Sequence, residues 1–309
     1  MSVVPSRTLI VLAGPTASGK TALGIWLANK LEAEILSADS RQCFKELNIG
    51  VARPSKEELA AVPHHFIASH SIHDTVNAGV FEAYGLRVLS GLFQKSSVAL
   101  VVGGTGLYIK ALTEGIDPMP QIPIEIRAAI DQGYNHQGLS WLQDQVSRED
   151  PLFWQTAERQ NPRRLMRALE FIRTTGTSIN SYRKNQKQIR DFNIINIALE
   201  LPRDLLYDRI NQRVDIMLAE GLEKEVRELY PLKDLNALQT VGYREWYPYF
   251  EGQQAFDTVR ANIQKNTRHY AKRQMTWFKK QEDFLWFSPT DRENILTCIK
   301  SKLHGSFPV

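Results

Sequence analysis

Gly14-Pro15-Thr16-Ala17-Ser18-Gly19-Lys20-Thr21 fits the phosphate-loop pattern G-x-x-x-x-G-K-[ST]. In such a loop the glycines let successive backbone N–H groups turn inward on phosphate oxygens, and the following helix adds its N-terminal dipole. Lys20 supplies a point charge, and the Thr21 hydroxyl can join the coordination shell of Mg²⁺. The setting is the required one. An apolar, β-branched run, Thr8 to Ala13, precedes the loop, and Lys20 to Leu31 follows with helical spacing of Leu23, Trp26, Leu27 and Leu31.

Which phosphates the loop holds is a separate question. A nucleotide triphosphatase also carries a metal-holding acid at the end of a later apolar strand. Here that strand, Val98 to Val102, runs into Gly103-Gly104-Thr105, with no acid. The carboxylate best placed beside the loop is Asp39, at the end of a second strand from Glu34 to Ala38, where ligands of open α/β sheets collect. That placement suits a base acting on an acceptor next to a diphosphate. A small-molecule kinase could use such an aspartate similarly, and a plain strand-end cap is the structural reading of the same residue.

These residues need a scaffold. Strand candidates at 8–13, 34–38, 64–69 and 98–102 alternate with helical stretches, including 77–95, which predicts a parallel sheet covered by helices. Pro118, Pro120 and Pro123 mark a boundary, after which the strong periodicities are helical to about Arg190. A strand over 193–201 and a helix from Arg203 to Ala219 then return. The organisation expected is an α/β core over 1–115 and 192–309, interrupted by an all-helical insert over 116–191.

With 309 residues, 43% of them apolar and 23% charged, the chain suits a soluble enzyme of about two domains. No apolar run reaches membrane-spanning length, and Met1 to Pro5 leaves no room for a leader before the first strand. Two cysteines, Cys43 and Cys298, make neither a disulfide framework nor a four-ligand zinc site, so a reducing cytoplasm is expected. The net charge of +4 is unevenly spread: Thr258 to Gln281 holds Arg260, Lys265, Arg268, Lys272, Arg273, Lys279 and Lys280 without an acid. Such a block suits a polyanionic partner; the alternative is a solvated basic helix face.

Several segments, ordered along nearly the whole chain, resemble the tRNA dimethylallyltransferases. They are the phosphate loop, Ser37 to Gln42, Asn48 to Pro54, Pro63-His64-His65, Val102 to Tyr108, Asn161 to Glu170, Val241 to Arg244, and Tyr270 to Phe278. The resemblance implies a P-loop NTPase-like core with an inserted helical domain. It also implies a Mg²⁺-dependent transfer of a dimethylallyl group from dimethylallyl diphosphate to N6 of adenosine 37, in the tRNA anticodon stem-loop. On the matching positions, Asp39 becomes the base for the N6 proton, and Asp39, Ser40, Arg41 and Gln42 surround the flipped adenine. Thr105 lies in the reaction channel. Arg213 joins Lys20 and Thr21 on the diphosphate. Arg127, Arg163, Arg164, Leu165, Met166 and Arg167 touch the stem-loop, as do Gln239, Thr240, Val241, Gly242, Tyr243 and Arg244. A cytoplasmic monomer is expected, and the lack of a Cys/His zinc tail after Leu285 favours a bacterial-type form. Arg41 and Val51 depart from the residues more familiar at those positions.

Helical spacing adds detail to some of these residues. Leu165, Leu169 and Ile172 form one stripe, with Arg163 and Arg167 on the opposite side; Arg213 sits at the edge of the stripe Leu206, Ile210, Val214 and Met217. His64, His65, His70 and His73 lack metal-ligand spacing and read as structural, while Trp277, Phe278, Trp286 and Phe287 read as core. Three rivals stay open: an adenylate isopentenyltransferase acting on free nucleotides, a P-loop kinase or ATPase, and a non-catalytic RNA-binding protein.

Overall fold

The computed structural model describes residues 7–117, 119–183 and 186–303. The Met1 to Pro5 lead-in and the Pro118 boundary mark lie outside the described residues. The chain groups into two compact units, Met1–Gly115 with Ile189–Val309, and Ile116–Gln188.

The first unit is built on six strands: β1 (Thr8–Ala13), β2 (Ile35–Ala38), β3 (His64–His65), β4 (Val98–Gly103), β5 (Asn193–Leu199) and β6 (Leu285–Phe287). All are parallel, in the order β3-β2-β4-β1-β5-β6. Every residue of β1 and β4 is buried, as expected of central parallel strands covered on both faces. Parallel pairing brings the C-terminal ends of β2, β4 and β1 side by side, so the loops carrying Asp39, Thr105 and Gly14 open at one edge.

Glycine permits the closest of these approaches. A Cβ on Gly103 would fall 2.2 Å from the Ala38 carbonyl oxygen, so any larger residue would push β2 and β4 apart at their ends. Two residues on, the Thr105 N–H donates to that same carbonyl at 3.1 Å. The missing acid at the end of β4 therefore has a packing reason.

The helices Lys20–Leu31 and Arg203–Ala219 have the bounds that their periodicity predicts. The expected 64–69 strand shrinks to two residues because Phe66 and Ala68 take positive φ, 64° and 45°, which ends an extended chain. β6 is an addition: three residues are too few to show alternation, yet Trp286 pairs with Ala198 in register. No helix of the described residues is long and apolar enough to cross a membrane.

The second unit is all-helical. Its helices are Ile124–Glu149, broken at Gly138 by a φ of 73°, then Pro151–Trp154, Pro162–Thr175 and Ile179–Tyr182. Asn161 caps Pro162–Thr175 by accepting the Arg164 N–H, and Gly176 ends that helix in the left-handed region. Ile130, Leu142, Val146, Leu165 and Leu169 form the core. The expected 116–191 range runs past the observed end at Gln188. Arg190 explains the shift: its guanidinium donates to Glu82 at 2.6 Å, and to the carbonyls of Ala111 at 2.8 Å and Leu112 at 2.9 Å, all in the first unit.

Leu169 is fully buried. Leu169→Ala should destabilise the helical unit by about 2–5 kcal/mol, the range for truncating a core leucine. Urea unfolding followed by circular dichroism checks this; a loss below about 1 kcal/mol would contradict the packing described.

Candidate functional site

The phosphate loop turns through Gly14 (φ 150°), Ala17 (φ 63°) and Gly19 (φ 93°). Ala17 is the exception, a side-chain-bearing residue in the left-handed region, and such strain collects at ligand-binding loops. Inside the loop the Lys20 ammonium donates to the Pro15 carbonyl at 2.6 Å. The Ser18 hydroxyl is buried without a hydrogen-bond partner, which suits a donor waiting for a phosphate oxygen. Arg213 reaches the loop from the helix Arg203–Ala219 and donates to the Thr16 hydroxyl at 3.3 Å. Arg209, one turn earlier, places a guanidinium nitrogen 3.8 Å from where a Cβ on Gly19 would stand.

Burial, with the nearby Arg213 charge second, lowers the Lys20 ammonium to about 7; Asp39 acts in the opposite direction. Burial also holds Arg213 below the usual guanidinium range. Two desolvated cations sharing one loop are poised for an anion, which would offset the burial of both and restore full charge to Lys20.

Beside them stands the loop that follows β2. Asp39 accepts two backbone N–H groups on one oxygen, Oδ1, from Arg41 at 2.8 Å and Gln42 at 3.2 Å. It is thus a turn cap, as the structural reading expects, but only through half of its carboxylate. The Thr105 hydroxyl accepts the Ser40 N–H at 3.1 Å, tying the ends of β2 and β4 together. Gln42 donates to the carbonyls of Val51 (3.2 Å) and Ala52 (2.9 Å), and Arg41 to those of Asn236 (3.1 Å) and Ala237 (3.4 Å). Arg41 is therefore spent on protein carbonyls, which gives its unfamiliar presence a structural role.

Two residues of the site carried no expectation of a role. Gln274 accepts the Thr16 N–H at 2.9 Å and donates to the Gly104 carbonyl at 3.0 Å, joining the phosphate loop to the end of β4. Tyr270, one turn earlier on the helix Phe256–Lys279, stands beside the Thr105 hydroxyl; burial first, and the charge of Asp39 second, push its phenol up to about 12. Both residues lie within the Tyr270 to Phe278 motif, the only signal that could have found them.

The remaining expected residues divide by exposure. Arg163 is exposed, Arg164 pairs with Glu158 at 2.9 Å, and Arg127 and Arg167 share the buried Glu170 at 3.4 and 3.9 Å. Arg183 joins this group, its guanidinium lowered by burial and by the charges of Arg167 and Arg164. Leu165 is wholly buried in the helical core, which leaves its side chain a packing role, and Met166 packs against the same core. Tyr243 is wholly buried, whereas Arg244 is exposed and Gln239 donates to the Lys233 carbonyl at 2.7 Å. The acid-free block is also less one-signed in space. Arg260 forks onto Asp215 at 2.7 and 2.9 Å and Lys279 lies 3.4 Å from Glu200, while Lys265, Lys272 and Lys280 are exposed. His65 is tied to Glu34 at 2.7 Å and His64 to the Val62 carbonyl, in keeping with structural roles.

Because free Lys20 titrates near 7, anion binding should take up protons. A bound diphosphate favours the ammonium and raises its pKa, so affinity is full below about pH 7 and weakens as pH rises above it. Calorimetry with inorganic pyrophosphate at pH 7.5, in buffers of different ionisation heat, should show net proton uptake that Lys20→Met abolishes. Uptake unchanged in the variant would remove Lys20 from the anion site.

Comparison with known proteins sets this arrangement in a family. Residues 42–281 match the model of the IPP transferase family. The chain is 48% identical to the tRNA dimethylallyltransferase of Christiangramia forsetii over 300 residues, covering 97% of this chain and 99% of that one. It is 44% identical to the tRNA dimethylallyltransferase of Cytophaga hutchinsonii, covering 96% and 98%. A tRNA isopentenylpyrophosphate transferase from Bacillus halodurans has a similar structure, with TM-score 0.72 and 32% identity over 97% of this chain and 98% of that one. With matches over nearly its whole length, and with a phosphate loop, Asp39 and Thr105 gathered at one sheet edge, this chain belongs to the IPP transferase family of tRNA dimethylallyltransferases.

Proposed function

We propose that the protein transfers a dimethylallyl group from dimethylallyl diphosphate to N6 of the adenosine 3′ of the tRNA anticodon, position 37, acting as a cytoplasmic monomer. The observation that carries the reading is the pairing of a cationic phosphate loop, Lys20 with Arg213, with Asp39. The loop takes the diphosphate, and its Ser18 hydroxyl gains the acceptor it lacks. As the allylic carbon–oxygen bond breaks, negative charge grows on the leaving diphosphate, where Lys20 and Arg213 stabilise it. The adenine must leave its stack to expose the amino group, as in other base-modifying enzymes. Asp39, with Oδ1 held by two amides, keeps Oδ2 to accept the N6 proton while N6 bonds to the allylic carbon.

Magnesium fits this site as an ion carried with the diphosphate. Among the described residues no cluster of three His, Cys, Asp or Glu could hold a metal alone, whereas Thr21 opens the helix after Lys20 with a hydroxyl ligand. Mg²⁺ usually keeps several waters and binds through few protein groups plus phosphates. Bound there, it would neutralise leaving-group charge.

Asp39→Asn separates base from cap. Asn keeps the oxygen that accepts the Arg41 and Gln42 amides and loses only the basic one. Single-turnover transfer with both substrates saturating should fall by about 10²- to 10⁴-fold. Affinities for tRNA and donor should change far less. A near-normal rate would leave the mechanism without its base.

The tRNA grip in this reading is electrostatic, through the guanidiniums of Arg163, Arg164, Arg167 and Arg183 in the helical unit and the exposed lysines of Phe256–Lys279. If about six to ten phosphates are neutralised, affinity should drop by roughly 10³ to 10⁵ between about 50 and 200 mM salt. Arg163→Glu with Arg167→Glu should weaken tRNA binding and flatten that slope while leaving donor binding alone. Equal tRNA affinity before and after would give the helical unit another purpose.

A further inference from the structure

Glu225 lies outside every motif considered above, yet its carboxylate is fully engaged. Oε2 accepts the Ile49 N–H at 2.8 Å, and Oε1 accepts both the Gly50 N–H at 3.0 Å and the Tyr243 hydroxyl at 2.6 Å. Tyr243 is wholly buried, and its ring lies so close over Gly50 that a Cβ there would stand 2.5 Å from the Tyr243 ring. Only glycine lets this phenol reach its carboxylate. Burial, with the Glu225 charge second, raises the Tyr243 phenol far above its usual range, so it stays a neutral donor.

The turn held in this way leads back to Asp39. Within it, Ala52 N–H donates to the Ile49 carbonyl and Arg53 N–H to that of Asn48. Gln42 then donates its amide to the Val51 and Ala52 carbonyls, and its own backbone N–H ends on Asp39 Oδ1. Arg53 adds bonds to the Phe44, Lys45 and Leu47 carbonyls, closing the loop between. A continuous hydrogen-bonded path thus runs from Glu225 and Tyr243 through residues 48–52 and Gln42 to the free oxygen's own carboxylate.

We infer that Glu225 and Tyr243 are positioning residues that set the aim of Asp39 by clamping the 48–52 turn behind it. Tyr243 then serves the reaction from inside the protein, without touching tRNA. Its neighbour Arg244 is exposed on the surface. The inference rests on the proposed base role of Asp39. The clamp acts on the acceptor side only: the phosphate loop is held separately, through Gln274 and Arg213.

Tyr243→Phe removes one oxygen from the clamp and keeps the ring over Gly50, so the fold should survive. Glu225→Gln is the second variant, since one of its amide groups would face an N–H donor. Wild type and variants are compared for single-turnover transfer, tRNA affinity, donor affinity and thermal midpoint. The expected result is a rate at saturation at least tenfold slower in Tyr243→Phe, with both affinities within about threefold of wild type. The double variant should be no slower than the Glu225→Gln single, as for residues acting as one unit. Either of two results would overturn the inference: an unchanged rate, or a loss of donor affinity and rate together with a lowered thermal midpoint, the mark of general destabilisation. Absence of transfer by the wild-type chain would instead refute the proposed function.

Discussion

The buried side-chain amide of Gln274 connects the parts on which the chemistry depends. One end accepts the Thr16 N–H of the phosphate loop, and the other donates to the Gly104 carbonyl at the end of β4. A Cβ on Gly104 would stand 2.1 Å from that amide nitrogen, so a side chain there would expel it. The glycine pair at 103–104 is thus required twice, by Gln274 and by the Ala38 carbonyl. In an ordinary nucleotide triphosphatase an acid in this region holds the metal. Here the space holds a neutral amide and the close contact of two strands, and the carboxylate moves one strand over, to Asp39.

This displacement alters what the loop is suited to do. Lys20 and Arg213 concentrate positive charge at the phosphate loop, where, in the proposed reaction, a leaving diphosphate would gather its negative charge. Asp39 contributes its charge from the neighbouring loop, where it only partly offsets the lowering of the Lys20 ammonium by burial and Arg213. Under the proposed function, the loop cations act on the leaving group and Asp39 on the acceptor. That is the arrangement needed to stabilise a leaving group while deprotonating an acceptor.

Much of this was legible in the sequence where spacing is local. The phosphate loop and the helices Lys20–Leu31 and Arg203–Ala219 follow from contiguous patterns. Asp39 follows from its place at a strand end. Contacts joining distant residues left no local trace: Gln274 meets Thr16 across 258 positions, and Glu225 meets Ile49 across 176. Nor does a motif reveal which of its members face inward. Leu165 and Tyr243 sit in segments that also carry exposed arginines, but burial gives both a role in packing. β6 escaped for a simpler reason, since three residues cannot display a period, while the expected 64–69 strand was cut short by the positive φ of Phe66 and Ala68.

Under the proposed function, the phosphate loop serves a prenyl diphosphate and an adenine of tRNA rather than a nucleoside triphosphate. Nucleoside mass spectrometry of tRNA incubated with the purified chain, dimethylallyl diphosphate and Mg²⁺, with no ATP present, tests it most directly. One adenosine per tRNA, adjacent to the anticodon, should gain a single dimethylallyl group at N6. Unmodified tRNA, or modification that appears only when ATP is supplied and hydrolysed, would contradict it.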